Sequence, residues 1–200
     1  MCSKVPSKFN CLQRFYPYLL CSVQSGLIMS AGDILAQIYI EKKDWDNFQY
    51  ERTAKFAFIG MVFTGPLLCH WSSLARKYRG IDGAVNRTLS TQFYMAPALN
   101  FGTITMANAL NGLALTTAEV KNILHEDFFT VMKKNFIVWL PTQFIGCLLE
   151  CYPIKYLLTI AVSVAWYAYL SNLLMPKYEN QPQKKRAKLT KYTKTKNKGK

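Results

Sequence analysis

The chain lacks charge where a soluble protein of its size carries it. Only 18% of its 200 residues are charged, against the roughly 25% usual in soluble domains. Between Lys55 and Arg76 lie twenty residues without a formal charge, taking His70 as neutral. There Phe56, Phe58, Ile59, Met61, Val62, Phe63, Leu67 and Leu68 fall on every side of a helix. A helix apolar all round belongs to the centre of a large core or to a membrane. A chain this short has no core that hides several such helices, which leaves the membrane.

The residues of common catalytic chemistry are also missing. There are two His (70 and 125), and the six Cys (2, 11, 21, 69, 147 and 151) form no Cys-x-x-Cys pair. No Gly-x-Ser-x-Gly, paired metal ligands or phosphate loop occurs, so nothing supports a catalytic site. The sequence therefore predicts no enzyme, no cofactor and no metal. Cys147 and Cys151, beside Glu150 but no His, read as small apolar residues. No cleavable signal is expected, because the first apolar run begins late and contains Asp33.

What the chain does have is further apolar length. Segments 16–40, 55–75, 88–113 and 154–174 each suffice to span a bilayer. The shorter run 136–149, interrupted by Pro141, predicts a short span, a re-entrant piece or an interfacial helix. Residues 116–134 place Val120, Ile123, Leu124, Phe128 and Val131 at helical spacing among charges, predicting an amphipathic helix. Thr116 and Glu119 fit a capping box at its start. The predicted fold is all-α: an integral membrane helical bundle over 1–175, with about four transmembrane helices and the amphipathic helix. A disordered basic tail follows over 176–200. Four spans put both termini and the 76–87 loop on one side, with 17 Lys and Arg against 7 opposite. Most of that difference comes from Lys177–Lys200, which holds ten basic residues and the single acid Glu179.

Polar residues inside the spans form stripes at steps of three or four. Ser22, Gly26, Ser30, Asp33 and Gln37 make one; Gln92, Ala96, Asn100, Thr103 and Ala107 make another. Gln143, Gly146 and Glu150 make a shorter third. Two readings stay open. Small and polar residues let helices pack closely and bond across the interface. The same residues, namely Asp33, Gln37, Ser30, Gln92, Asn100, Thr103, Gln143 and Glu150, could line a watery path for small solutes. A carboxylate at mid-span needs water or a cation near it, and Asp33 has no basic residue within two turns. The expectation is that Asp33 faces water inside the bundle. Lys155 is close enough in sequence to pair with Glu150. Trp71, beside His70, reads as an interfacial anchor.

Four signatures then follow one another in register. They are Gly32-Asp33-x3-Gln37, Arg52-Thr53-x-Lys55-Phe56-x3-Gly60-x4-Gly65-Pro66, Trp139-x3-Gln143 and Trp166-x2-Tyr169-Leu170-Ser171. In this order they resemble the Mpv-seventeen and peroxisomal membrane protein 2 family over residues 15 to 175. Against the family's usual pattern, Cys69 stands for a His and Thr91-Gln92 for an Asp-Gln pair. Leu140 splits the expected Trp-Pro. The resemblance implies a small multi-pass protein of the inner mitochondrial membrane, or alternatively of the peroxisomal membrane. It implies a poorly selective pore for small solutes, linked to metabolite and reactive-oxygen balance. Its motif and packing residues would be Gly32, Gly60, Gly65, Pro66, Trp71, Trp139, Trp166 and Ser171.

The alternative function is a non-conducting scaffold or assembly factor that uses the basic tail as its handle. Expected partners are the lipid bilayer and small solutes, with homo-oligomer formation open. Anionic lipid at the tail fits its charge; nucleic acid is not expected as a partner, with only Tyr178 and Tyr192 available to stack.

Overall fold

The computed structural model describes residues 7–75, 80–111, 128–149 and 153–174. Glu150, the 116–127 part of the expected amphipathic helix and the tail over 176–200 lie outside them. Among the described residues there are helices and no strands. Helix α1 covers Ser7–Leu35 and continues as a π-helical turn, Ala36–Ile40. It ends at Lys42, a left-handed residue with φ 51°. Helix α2 is Tyr50–Ala75. Helix α3 runs over 80–110, α4 is Phe129–Leu148 and α5 is Pro153–Leu174.

Two further π-helical turns sit where proline demands them. Gly60–Thr64 directly precedes Gly65-Pro66, and Thr91–Met95 directly precedes Ala96-Pro97. Proline has no N–H and its ring presses on the carbonyl one turn back. A widened turn relieves that pressure and lets α2 and α3 continue.

Neighbouring helices alternate in direction. Gly26 faces Gly60 and Gly65 faces Ser22, so α1 and α2 are antiparallel. A Cβ on Gly60 would lie 2.7 Å from the Ser25 carbonyl oxygen and 2.8 Å from Gly26 Cα. Only glycine permits that backbone contact, the membrane-bundle use of small residues. Gly32 meets Tyr167, Val164 and Ala168 of α5 in the same way. Along α2 and α3, Trp71 bonds Thr91, while Lys55 bonds Asn111. Phe93 stacks near Phe136, and Phe101 near Phe128, which sets α4 antiparallel to α3. The apolar centre is Met29, Phe56, Ile59, Ile104, Val131, Trp166, Leu170 and Leu174.

Among the described residues three helices, α2, α5 and the Phe15–Ile40 stretch of α1, are long and apolar enough to cross a membrane. The more polar α3 and α4 lie alongside them. The run expected as a partial segment is not broken at Pro141. It joins residues 129–135 in one helix of 20 residues, about 30 Å at 1.5 Å per residue. The exposed Lys133 and Lys134 sit on its outer face, while Val131, Met132 and Asn135 are buried.

The five described helices alternate in direction, which, where each of the five crosses the membrane, goes against the expectation that both termini share one side. Ser7 and Leu174 lie at opposite ends of the bundle. Tags at Met1 and Lys200 should therefore differ in protease access in intact organelles. Equal access would mean that α4 does not cross.

Candidate functional site

The polar residues of the spans gather in two places. At the end where α1 and α5 finish and α2 begins, Asp33 is fully buried. Its Oδ1 accepts from Arg52 Nε at 2.8 Å and from the Ser171 hydroxyl. Its Oδ2 accepts from Thr53 Oγ1 at 2.6 Å and from Gln37 Nε2 at 2.8 Å. The other end of the Arg52 guanidinium forks onto Glu41, with Nη1 to Oε2 at 2.9 Å and Nη2 to Oε1 at 2.6 Å. Arg52 Nη2 also donates to Ser171 Oγ at 2.7 Å. Gln37 Oε1 accepts the Gln49 backbone N–H at 2.8 Å, tying in the loop between α1 and α2.

This corrects the expectation for Asp33, which faces a buried cation rather than water. Every acceptor position on its carboxylate is taken, so the charge is neutralised and desolvated together. Arg52 had a place in a family signature but no role. The signal that could have found it is register: folding α1 back on α2 through the Gly26–Gly60 contact sets Asp33 beside Arg52 and Thr53. The Ala36–Ile40 turn carries Gln37 into the same cluster.

Glu41, at the edge, feels opposing influences. Burial pushes its carboxyl up, but the hydrogen bonds and charges of Arg52 and Lys43 hold it below its ordinary 4.5. A depressed folded value means that its stabilisation is complete above about pH 4.5 and fades as pH falls through that lower value. Acid titration of the purified protein should therefore loosen the Glu41 edge on the acid side of pH 4.5. A stability profile flat through that range in the wild type, and equal to that of Glu41→Gln, would contradict the assignment.

The second place is the other half of the bundle. A cavity of about 210 Å³ lies among α1, α2, α3, α4 and α5, with Gln92, Asn100, Thr103, Asn135, Gln143 and Ser163 on its walls. Trp139 and Trp166 supply its aromatic surface. A second cavity of about 420 Å³ adjoins it, sharing Thr91, Trp139, Gln143 and Thr159. This outer cavity reaches Trp71 and Ala75 at the end of α2, Arg87 near the start of α3 and Lys155 near the start of α5. It therefore opens at the end of the bundle opposite the Asp33 cluster.

Three buried amide oxygens on these walls accept no hydrogen bond from the described residues: Gln92 Oε1, Asn135 Oδ1 and Gln143 Oε1. Each would cost on the order of 1–3 kcal/mol if the site were only a packing interface. Asn100, by contrast, donates to the Ala96 carbonyl at 2.9 Å.

The expected candidates thus divide. Gln92, Asn100, Thr103 and Gln143 line the inner cavity; Asp33, Gln37 and Ser171 belong to the ion cluster. Ser30 does neither, donating to the Gly26 carbonyl at 2.7 Å. Gly32, Gly60 and Gly65 set the helix crossings, and Pro66 follows its π-helical turn. Trp71 Nε1 donates to Thr91 Oγ1 at 2.9 Å. Glu150 lies outside the described residues. Asn135 and Thr91 were missed; Asn135 fell between the stretch read as an amphipathic helix, 116–134, and the partial segment 136–149.

Antiparallel membrane helices around a polar interior define a multi-pass α-helical membrane protein. The same residues align with curated relatives over most of the chain. Drosophila melanogaster mitochondrial inner membrane protein Mpv17 is 24% identical over 170 residues, covering 82% of this chain and 99% of that protein. Bos taurus peroxisomal membrane protein 2 is 28% identical over 176 residues, covering 84% and 88%. Dictyostelium discoideum PXMP2/4 family protein 2 is 26% identical, covering 81% and 86%. Over most of its length the chain is similar to proteins of the Mpv17 and peroxisomal membrane protein 2 family. No protein-family model matches it, and no solved structure does.

Proposed function

We propose that the protein is a pore of low selectivity for small solutes in an organelle membrane. Its place is the mitochondrial inner membrane, as the names of its Mpv17 relatives say of them, with the peroxisomal membrane as the alternative. There it would contribute to metabolite and reactive-oxygen balance. The observation that carries this reading is the pair of adjoining cavities walled by three unpartnered amide oxygens. Polar groups inside a membrane bundle that lack protein partners are suited to a passing polar solute or to water.

The inner cavity has room for several waters. Its far end is stopped by the apolar layer of Phe56, Ile59, Ile104, Leu170 and Leu174, with the Asp33–Arg52 cluster beyond. A layer of this kind bars water by dewetting, so the described conformation is closed. Passage requires these helices to shift against one another.

The test is release of entrapped neutral solutes of graded size from liposomes holding the purified full chain. Small polar solutes should escape and large ones stay. Release no faster than from protein-free liposomes, at equal insertion, would sink the pore. The scaffold reading rests on residues 176–200, and no observation among the described residues favours it.

A further inference from the structure

The outer cavity carries charge of one sign. Arg87 and Lys155 both line it, and no Asp or Glu is among the described residues that do. Neither cation makes an ion pair among the described residues, whereas Lys43, Arg52 and Lys55 all do. Both are half-buried, so their fields act across a space partly screened from bulk water. They approach it from different helices, α3 and α5. Behind them the inner cavity is neutral, walled by amides, hydroxyls and indoles together with the aliphatic Ile28, Leu68 and Leu99.

We propose that Arg87 and Lys155 form an anion-collecting vestibule, and that the solutes admitted are small organic or inorganic anions. This rests on the pore reading and names its solute class: a carboxylate or phosphate group met by the two cations, on a body small enough for the neutral cavity. A ring of Arg or Lys is how pores favour anions. The guanidinium suits a planar or tetrahedral oxyanion through paired N–H donors, and the ammonium adds a point charge.

The phosphate of a lipid headgroup offers the same chemistry, so the experiment must separate a passing anion from a bound lipid. The purified full chain is placed in planar phosphatidylcholine bilayers under a potassium chloride gradient, and the reversal potential is read. The probes acetate and inorganic phosphate then replace chloride. Release of a neutral solute from liposomes of the same preparations reports whether the path is open.

The expected result is a reversal potential on the chloride side that persists with acetate and phosphate. Arg87→Gln with Lys155→Gln should move it towards zero, and Arg87→Lys should keep most of the preference. Lys42→Gln removes one charge at the opposite end of the bundle and should leave it in place. A cation-preferring wild type, or a reversal potential unmoved by the double substitution while neutral solute still passes, overturns the vestibule and leaves the pore standing. Loss of co-purifying phospholipid from the double variant with no change in potential also overturns it, assigning the two cations to lipid. Absence of neutral-solute release from the wild type removes the pore, and the vestibule with it.

Discussion

Arg52→Met should lower stability by about 3–5 kcal/mol, the usual result of removing one member of a buried ion pair. The loss arises because Asp33 remains fully buried with only Ser171, Thr53 and Gln37 to bond it. Hydroxyls and an amide satisfy its lone pairs but do not cancel its charge. Asp33→Asn should cost less, because Arg52 keeps its fork on Glu41. The double variant Asp33→Asn with Arg52→Met should recover part of the loss, since no unpaired buried charge is left. Thermal unfolding of the four proteins in detergent measures all three differences. Costs that simply add would mean that the two groups are not coupled as the geometry requires. An Arg52→Met variant as stable as wild type would deny the cluster any role in joining α1, α2 and α5.

How far the sequence was legible depended on how local the signal was. The charge-free run from Phe56 to Ala75 declares its length and apolarity directly, so α2 could be read as it stands. The stripe on α3 is also local: Gln92, Ala96, Asn100, Thr103 and Ala107 recur at helical steps, and all five are buried. The Asp33 cluster is not local. Its cation is 19 positions away in sequence, beyond a turn whose geometry depends on a π-helical exit from α1. Reading one helix at a time left the carboxylate apparently unpaired. Helix α4 was obscured for a different reason. Lys133, Lys134 and Pro141 look like a boundary, yet the two lysines face outward. Pro141 leaves the Ile137 carbonyl without its usual donor, a loss that the helix Phe129–Leu148 tolerates without breaking.

Gln143→Trp should reduce solute release to that of protein-free liposomes while leaving the bundle folded. Gln143 stands on the wall common to both cavities, with Thr91, Trp139 and Thr159. Its Oε1 has no protein partner, so replacing it breaks no hydrogen bond that this oxygen makes. The substitution should remove a polar lining group and fill the junction with an indole beside Trp139. A narrow apolar junction dewets, which closes the path to ions as well as to neutral solutes. Gln143→Ala makes the opposite change, widening the junction, and should keep release at least at the wild-type rate. The pair matters because a merely structural role predicts another pattern: both variants would lose stability and neither would change release per folded molecule. Release rates are normalised to inserted protein, with helicity and unfolding midpoint measured alongside. Continued release through a folded Gln143→Trp variant would show that solute does not pass between the two cavities, and the route would have to be sought elsewhere in the bundle.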